Sequence, residues 1–222
     1  ASIAITADAF NNLSDAASSV VTLIGFRLAG QEADEEHPFG HGRMEYLAGL
    51  VVAMLILLVG VELAQSSFQK ILHPEPVDFS LLSAVILAVS VGVKLGMFWF
   101  NRGLSRAIQS AALSATATDS LSDAVATATL LLGLLAGHFF RLPLDGWLGL
   151  AVALFILRAG WGAAKDTVDP LLGRPMDRAL AADIDQLVLN HAYILGIHDL
   201  VYHDYGPGRA MMSFHAEVPA DG

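Results

Sequence analysis

The chain has 222 residues, 55% of them hydrophobic and only 15% charged, with a net charge of −10 and no cysteine. That composition excludes an ordinary soluble domain, the acidity excludes a nucleic-acid partner, and the missing thiols exclude disulfides and thiolate metal ligands. Five apolar runs, 2–29, 44–71, 79–104, 111–140 and 147–164, are long enough to cross a hydrocarbon core, which takes about 20 helical residues.

The first run carries Asn11 and Asp15 four residues apart, a spacing that puts both side chains on one helix face. Asp8 lies on a similar face and reads as a residue of the pathway rather than a ligand. Small residues follow, Ala16, Ala17, Ser18 and Ser19, and would let a second backbone approach closely.

The connection to the second run is acidic and contains Asp34, His37 and His41. Such a loop is often no more than a solvated turn, but this spacing also suits a mixed nitrogen and oxygen metal site. Arg43 and Glu45 open the next helix. Farther on, Lys94 is the only charge between Leu81 and Phe100, a stretch that is hard to house in a soluble bundle.

The fourth run repeats the pattern of the first. Asp119 and Asp123 are four apart, and Ala112, Ser114, Ala115 and Ala117 precede them. Carboxylates within a bilayer are costly and mark function by default. The plain alternative is that Asn11 and the acids are hydrogen-bonding glue between helices. Three acids in two such pairs favour an ion or proton site. Asn11, Asp15, Asp119 and Asp123 would then offer oxygen ligands from two helices to one divalent cation.

Basic residues set the orientation. Arg27, Arg43, Arg102, Arg106 and Lys165 flank one side, Lys70 and Arg141 the other, and the richer side is expected in the cytoplasm. The membrane domain is expected to span residues 1–168, and a linker with two prolines and a glycine residues 169–176. A cytoplasmic domain is expected from 177 to 222. There, Asp177 caps a predicted helix reaching about His191, with Leu180, Ile184, Leu187 and Val188 at helical spacing. Two predicted strands follow, Ile197–Tyr205 and Ala210–Val218, joined by Gly206-Pro207-Gly208. Strict alternation puts His198 and His203 on opposite strand faces, while His215 and Glu217 share one.

Three segments together resemble the cation diffusion facilitators: Asp8-Ala9-Phe10-Asn11-Asn12-Leu13-Ser14-Asp15, His37-Pro38-Phe39-Gly40-His41-Gly42-Arg43-Met44-Glu45 and Asp119-Ser120-Leu121-Ser122-Asp123. The tail is similar too, through Gly196-Ile197-His198-Asp199-Leu200 and His203-Asp204-Tyr205-Gly206-Pro207-Gly208-Arg209. The resemblance implies a membrane all-α helical bundle of six helices, followed by a ferredoxin-like α+β cytoplasmic domain, working as a homodimer. On that register the first membrane helix and the end of the tail domain are expected to lie outside these residues.

The resemblance further implies that Asn11, Asp15, Asp119 and Asp123 form the transport site. Asp34, His37 and His41 would form a second metal site in the loop, and His198 and His215 part of a third in the tail. Zinc-handling relatives usually carry a His within the transport tetrad, whereas this one is all oxygen, which suits Mn²⁺ better. The expected function is efflux of a divalent metal ion, Mn²⁺ ahead of Fe²⁺ and Zn²⁺, in exchange for protons. No cofactor is expected. The expected setting is the lipid bilayer of a bacterial cytoplasmic membrane. A membrane metallohydrolase is disfavoured because no His-Glu-x-x-His or nucleophile motif is present. A non-transporting metal-sensing scaffold would have no need of the tetrad.

Overall fold

A computed structural model describes residues 17–73, 80–140 and 145–220. Its elements in chain order are α1 (Ala17–Ala29), α2 (Met44–Leu72), α3 (Leu81–Ile108), α4 (Ala111–Phe140), α5 (Asp145–Leu172), α6 (Arg178–Leu189), β1 (Gly196–Asp204) and β2 (Ala210–Glu217). Four of these helices, α2 to α5, are long and apolar enough to span a bilayer. Asp8, Asn11 and Asp15 lie outside the described residues.

The bundle is organised around α4, which packs against α2, α3 and α5, while α2 and α5 pack on each other. Its core is built from Val52, Ala53 and Ile56 of α2, Ala115 of α4, and Ile156, Ala163 and Ala164 of α5. Between membrane helices no hydrophobic driving force operates, so close contact of small residues has to supply the attraction. Gly49 shows how close that contact is. A Cβ there would stand 2.7 Å from Thr167 Cγ2 and 3.2 Å from the Ala112 Cα.

Helix α3 is built inside out by the standards of a soluble protein. Its apolar side chains, among them Leu81, Val89, Val93, Trp99 and Phe100, are exposed, whereas Lys94 and Ser105 are its buried residues. Lipid is the solvent for the first set, and the second set turns toward α4. Gln109 closes the helix in the left-handed region with φ of 52°. Ser110 then starts α4, its hydroxyl accepting from the Leu113 amide at 3.1 Å. The buried Glu45 carboxylate faces Ser110 and the Ala112 amide at this same terminus, where the helix dipole favours negative charge.

Helix α5 outlasts the expected 147–164 run. It continues through Lys165, Asp166 and Pro170 to Leu172, and Gly173 follows with φ of 97°. Asp177 caps α6 as the sequence predicts, accepting from the Ala179 amide at 2.8 Å. Of the predicted apolar face of α6, Ile184 is buried, while Leu180 and Leu187 are exposed. Strands β1 and β2 pair antiparallel with a bulge between His198 and Val201.

The bulge overturns strict alternation. His198 pairs with His215 and His203 with Met211, so one extra residue in β1 returns both histidines to the same face. They remain apart all the same, because four residues of strand separate their partners by about 13 Å.

The packing predicts an asymmetry between glycines. Gly49→Ala should destabilise the bundle by about 1–3 kcal/mol through overpacking. At Gly96 an added Cβ meets nothing within 4 Å, so Gly96→Ala should be neutral or stabilising. Thermal unfolding in detergent reads both, and equal losses would contradict this packing.

Candidate functional site

Helices α1, α3 and α4 enclose a small polar cavity. It is lined by Ser19 of α1, Lys94 and Met97 of α3, and Thr116, Asp119, Ser120 and Asp123 of α4. Its volume is about 10 Å³, close to the room one water molecule needs. Asp123 is buried at 5% exposure, and Asp119 is half-buried. Lys94 Nζ stands 3.4 Å from Asp123 Oδ2, forming an ion pair shielded from the surroundings.

The walls are held by hydroxyls. Thr22 of α1 and Thr116 of α4 share a hydrogen bond of 2.8 Å. Each hydroxyl also lies within reach of a carbonyl of its own helix, Thr22 of Ser18 at 2.9 Å and Thr116 of Ala112 at 3.1 Å, so one hydroxyl donates across the interface and the other to its own helix. Arg102 of α3 donates to the Ser114 hydroxyl of α4 at 3.0 Å. In sequence, Ser19 continues the four-residue step from Asn11 through Asp15.

The loop cluster assembles as its spacing suggests. Single ligand atoms of Asp34, His37 and His41 lie within 4.8 Å of one another. The Asp34 carboxylate accepts from the His37 amide at 2.6 Å. That bond, more than the two imidazoles, holds its carboxyl below the usual range and keeps it ionised. His41 Nδ1 meets the Glu32 carbonyl at 3.2 Å. A carbonyl can only accept, so Nδ1 donates there, and Nε2 faces Asp34 Oδ2 3.5 Å away. A metal-binding imidazole is oriented in this way by its second nitrogen.

The tail cluster contains one more residue than the sequence suggests. His198 and His215 face each other across the strand pair with ring centroids 5.3 Å apart, and Asp199 completes the set within 4.8 Å. Asp199 Oδ2 is 3.1 Å from His198 Nδ1 and 3.3 Å from His215 Nδ1. The imidazole contacts, that to His198 first, lower the Asp199 carboxyl from its ordinary value. Alternation would send Asp199 to the opposite face. The bulge re-aims it, and its φ of 54° is a conformation that Asp tolerates better than most residues.

Both ends of the loop motif touch the tail. Tyr46 donates to the Asp204 carboxylate, 2.9 Å from either oxygen, and Arg43 Nε donates to the Asp204 carbonyl at 2.9 Å. The Arg43 guanidinium lies 4.4 Å over the Tyr205 ring, and Phe39 stacks on that ring at 4.7 Å. Gly42 and Gly206, the latter at φ of 119°, meet backbone to backbone with no room for a Cβ on either. Tyr205 therefore joins His37 and His41 around one cleft of about 270 Å³. The loop cluster thus sits at the joint between bundle and tail.

A lipid-facing helical bundle with Asp119 and Asp123 lining a small polar cavity is a membrane protein with an ionic site inside it. Comparison with known proteins gives the family. Residues 1–172 match the cation efflux transmembrane domain. Over 99% of its length the chain is 28% identical to an uncharacterized transporter of Methanocaldococcus jannaschii, covering 77% of that protein. It is 30% identical over 98% of its length to the cation-efflux pump FieF of Klebsiella pneumoniae, covering 72% of it. It is also 30% identical over 74% of its length to the manganese efflux system protein MneS of Bacillus subtilis, covering 57% of it. The chain belongs to the cation efflux, or cation diffusion facilitator, family: multi-pass membrane transporters, not enzymes.

Sequence reasoning brought together the loop triad and the pair on α4, but it missed Lys94 and Asp199 as members of their clusters. It also missed the contacts of Arg43 and Tyr46 with the tail. Those contacts predict that Tyr46→Phe loosens the joint, because a hydrogen bond to a charged group contributes about 1.5–3 kcal/mol. Amide exchange at residues 204–209 should speed up in that variant while exchange in α2 and α4 stays unchanged. Unaltered exchange at the joint would show that this contact does not hold the tail.

Proposed function

We propose that this protein exports a divalent metal ion from the cytoplasm in exchange for protons, with Mn²⁺ its preferred cargo. The observation that carries the reading is the position of Asp119 and Asp123: on one helix, within a membrane span, lining a small cavity that Ser19 of α1 also lines. An anion is not stable there unless its partner is a cation, so the site is suited to charge exchange. Asn11 and Asp15 would complete the ligand set from the α1 side, their spacing matching that of Asp119 and Asp123.

Four oxygen ligands favour a hard cation such as Mn²⁺, while imidazole would favour Zn²⁺ or Fe²⁺. The similarity to a protein named for manganese efflux supports the same preference. Similarity to the cation-efflux pump FieF keeps other divalent ions in play as alternative cargo. A carboxylate oxygen cannot hold a proton and a metal ion on the same lone pair, so the two cargoes exclude each other. Exchange follows if the cavity opens to one side at a time, by rocking of α1 and α4 against their neighbours near the midplane.

The loop and tail clusters would bind further metal ions, as regulators rather than cargo. Metal at Asp34, His37 and His41 would stiffen the loop that grips Tyr205. Metal at His198, Asp199 and His215 would bridge β1 and β2. Each could couple cytoplasmic metal concentration to the bundle through the joint. Two such chains would act as a homodimer.

Proteoliposome flux of the full-length protein tests the assignment. Asp123→Asn should insert normally and reduce Mn²⁺ flux to the level of empty liposomes, and near-normal flux would remove the residue from the transport site. In the same assay the unmutated protein should carry Mn²⁺ at least as fast as Zn²⁺, and Asn11→His should shift preference toward Zn²⁺. A strong Zn²⁺ preference before mutation would contradict the manganese reading.

A further inference from the structure

The Lys94–Asp123 ion pair sets a fixed cation against a carboxylate of the proposed transport site. We propose that Lys94 is a tethered cation that takes the place of the transported metal on Asp123 and is displaced by it. This inference rests on Asp119 and Asp123 being transport ligands.

Lys94 is the only charge between Leu81 and Phe100, on a helix whose other faces are apolar and turned outward. A lysine in a membrane span is expensive to insert, and near a helix end it would reach for the interface. Lys94 instead sits at 5% exposure, with its ammonium 3.4 Å from a carboxylate oxygen that is itself buried. Asp123 offsets the cost of its burial.

Consider next what a metal ion does on arrival. A divalent cation bound by Asp119 and Asp123 would stand within a few ångströms of the ammonium, and in a low-dielectric cavity two like charges at that range repel strongly. Metal and ammonium cannot share Asp123. The lysine has the means to withdraw, since its four-carbon stem is flexible and its head is a compact point charge. Met97, one helical turn along α3 and lining the same cavity, is an adaptable neighbour that can refill the space.

The consequence for transport is twofold. A carrier that has released its cargo does not return with a bare carboxylate at Asp123, because the ammonium covers it. Release is also assisted, because the returning lysine competes for the ligand the metal must leave. A fixed internal cation should therefore weaken metal affinity and raise turnover together.

Equilibrium Mn²⁺ binding and flux of the full-length protein test this, in a background where Asp34→Ala and Asp199→Ala silence the loop and tail clusters. Lys94→Gln should bind Mn²⁺ more tightly, by about tenfold, within the usual range of coupling between sites. Its flux should half-saturate at lower Mn²⁺ and reach a lower maximum. Lys94→Arg, whose planar fork grips a carboxylate with two hydrogen bonds, should bind Mn²⁺ more weakly than the unmutated lysine.

A merely structural lysine would lower the maximum with no gain in affinity, and that result in Lys94→Gln overturns the proposal. If Lys94→Gln does not fold, Lys94→Arg decides alone: weaker binding supports the tethered cation, and unchanged or tighter binding refutes it. Asp123→Asn is the control on the underlying site. Undiminished Mn²⁺ binding in that variant would refute the transport-site assignment itself, whatever the lysine variants do.

Discussion

A charge enclosed by lipid-facing helices has to meet an opposite charge or a polar cavity, and much of this bundle is arranged around that requirement. Lys94 and Asp123 meet it together at 3.4 Å. To bring them into register, α3 must present its one polar stripe to α4, which leaves Val89, Val93, Trp99 and Phe100 for the lipid. Helix α4 must then touch helices on its other sides as well, and there it carries Ala112, Ala115 and Ala117, each with 1% exposure or less. The small residues and the acids of this helix are two halves of one design. The first allows close packing, and the second needs the shielding that close packing supplies.

The same logic extends to the end of the bundle. Glu45 stands against the start of α4. Its neighbours in sequence, Arg43 and Tyr46, reach the other way to Asp204 and Tyr205. The segment 34–46 thus connects the α4 terminus, the loop triad and the tail. A metal-dependent change in the loop has a short physical path to the helix that bears Asp119 and Asp123, through hydrogen bonds and packed rings.

How much of this is legible in the sequence depends on the reach of each signal. Long apolar runs announce the spanning helices, and α4 begins and ends where its run does. Helix α5 overruns its expected end because Lys165, Asp166 and Asp169 dilute the hydrophobic signal without interrupting backbone hydrogen bonding. Asp34, His37 and His41 are found by spacing, since a short loop can bring neighbours in sequence together. Asp199 escapes because one extra residue in β1 reverses the alternation on which a strand is read. Lys94 and Asp123 are 29 positions apart on different helices, and the joint formed by Tyr46 and Asp204 bridges 158. Periodicity within one element says nothing about such partners.

The central claim is that the carboxylates of α4 hold the transported ion through oxygen alone. Anomalous diffraction at the manganese edge, from crystals of the full-length protein grown with Mn²⁺, tests it most directly. The account predicts a peak within bonding distance of Asp119 and Asp123, with every ligand an oxygen at roughly 2.0–2.6 Å, as hard cations require. Manganese found at the histidine clusters of the loop and tail, with none between α1 and α4, would contradict it.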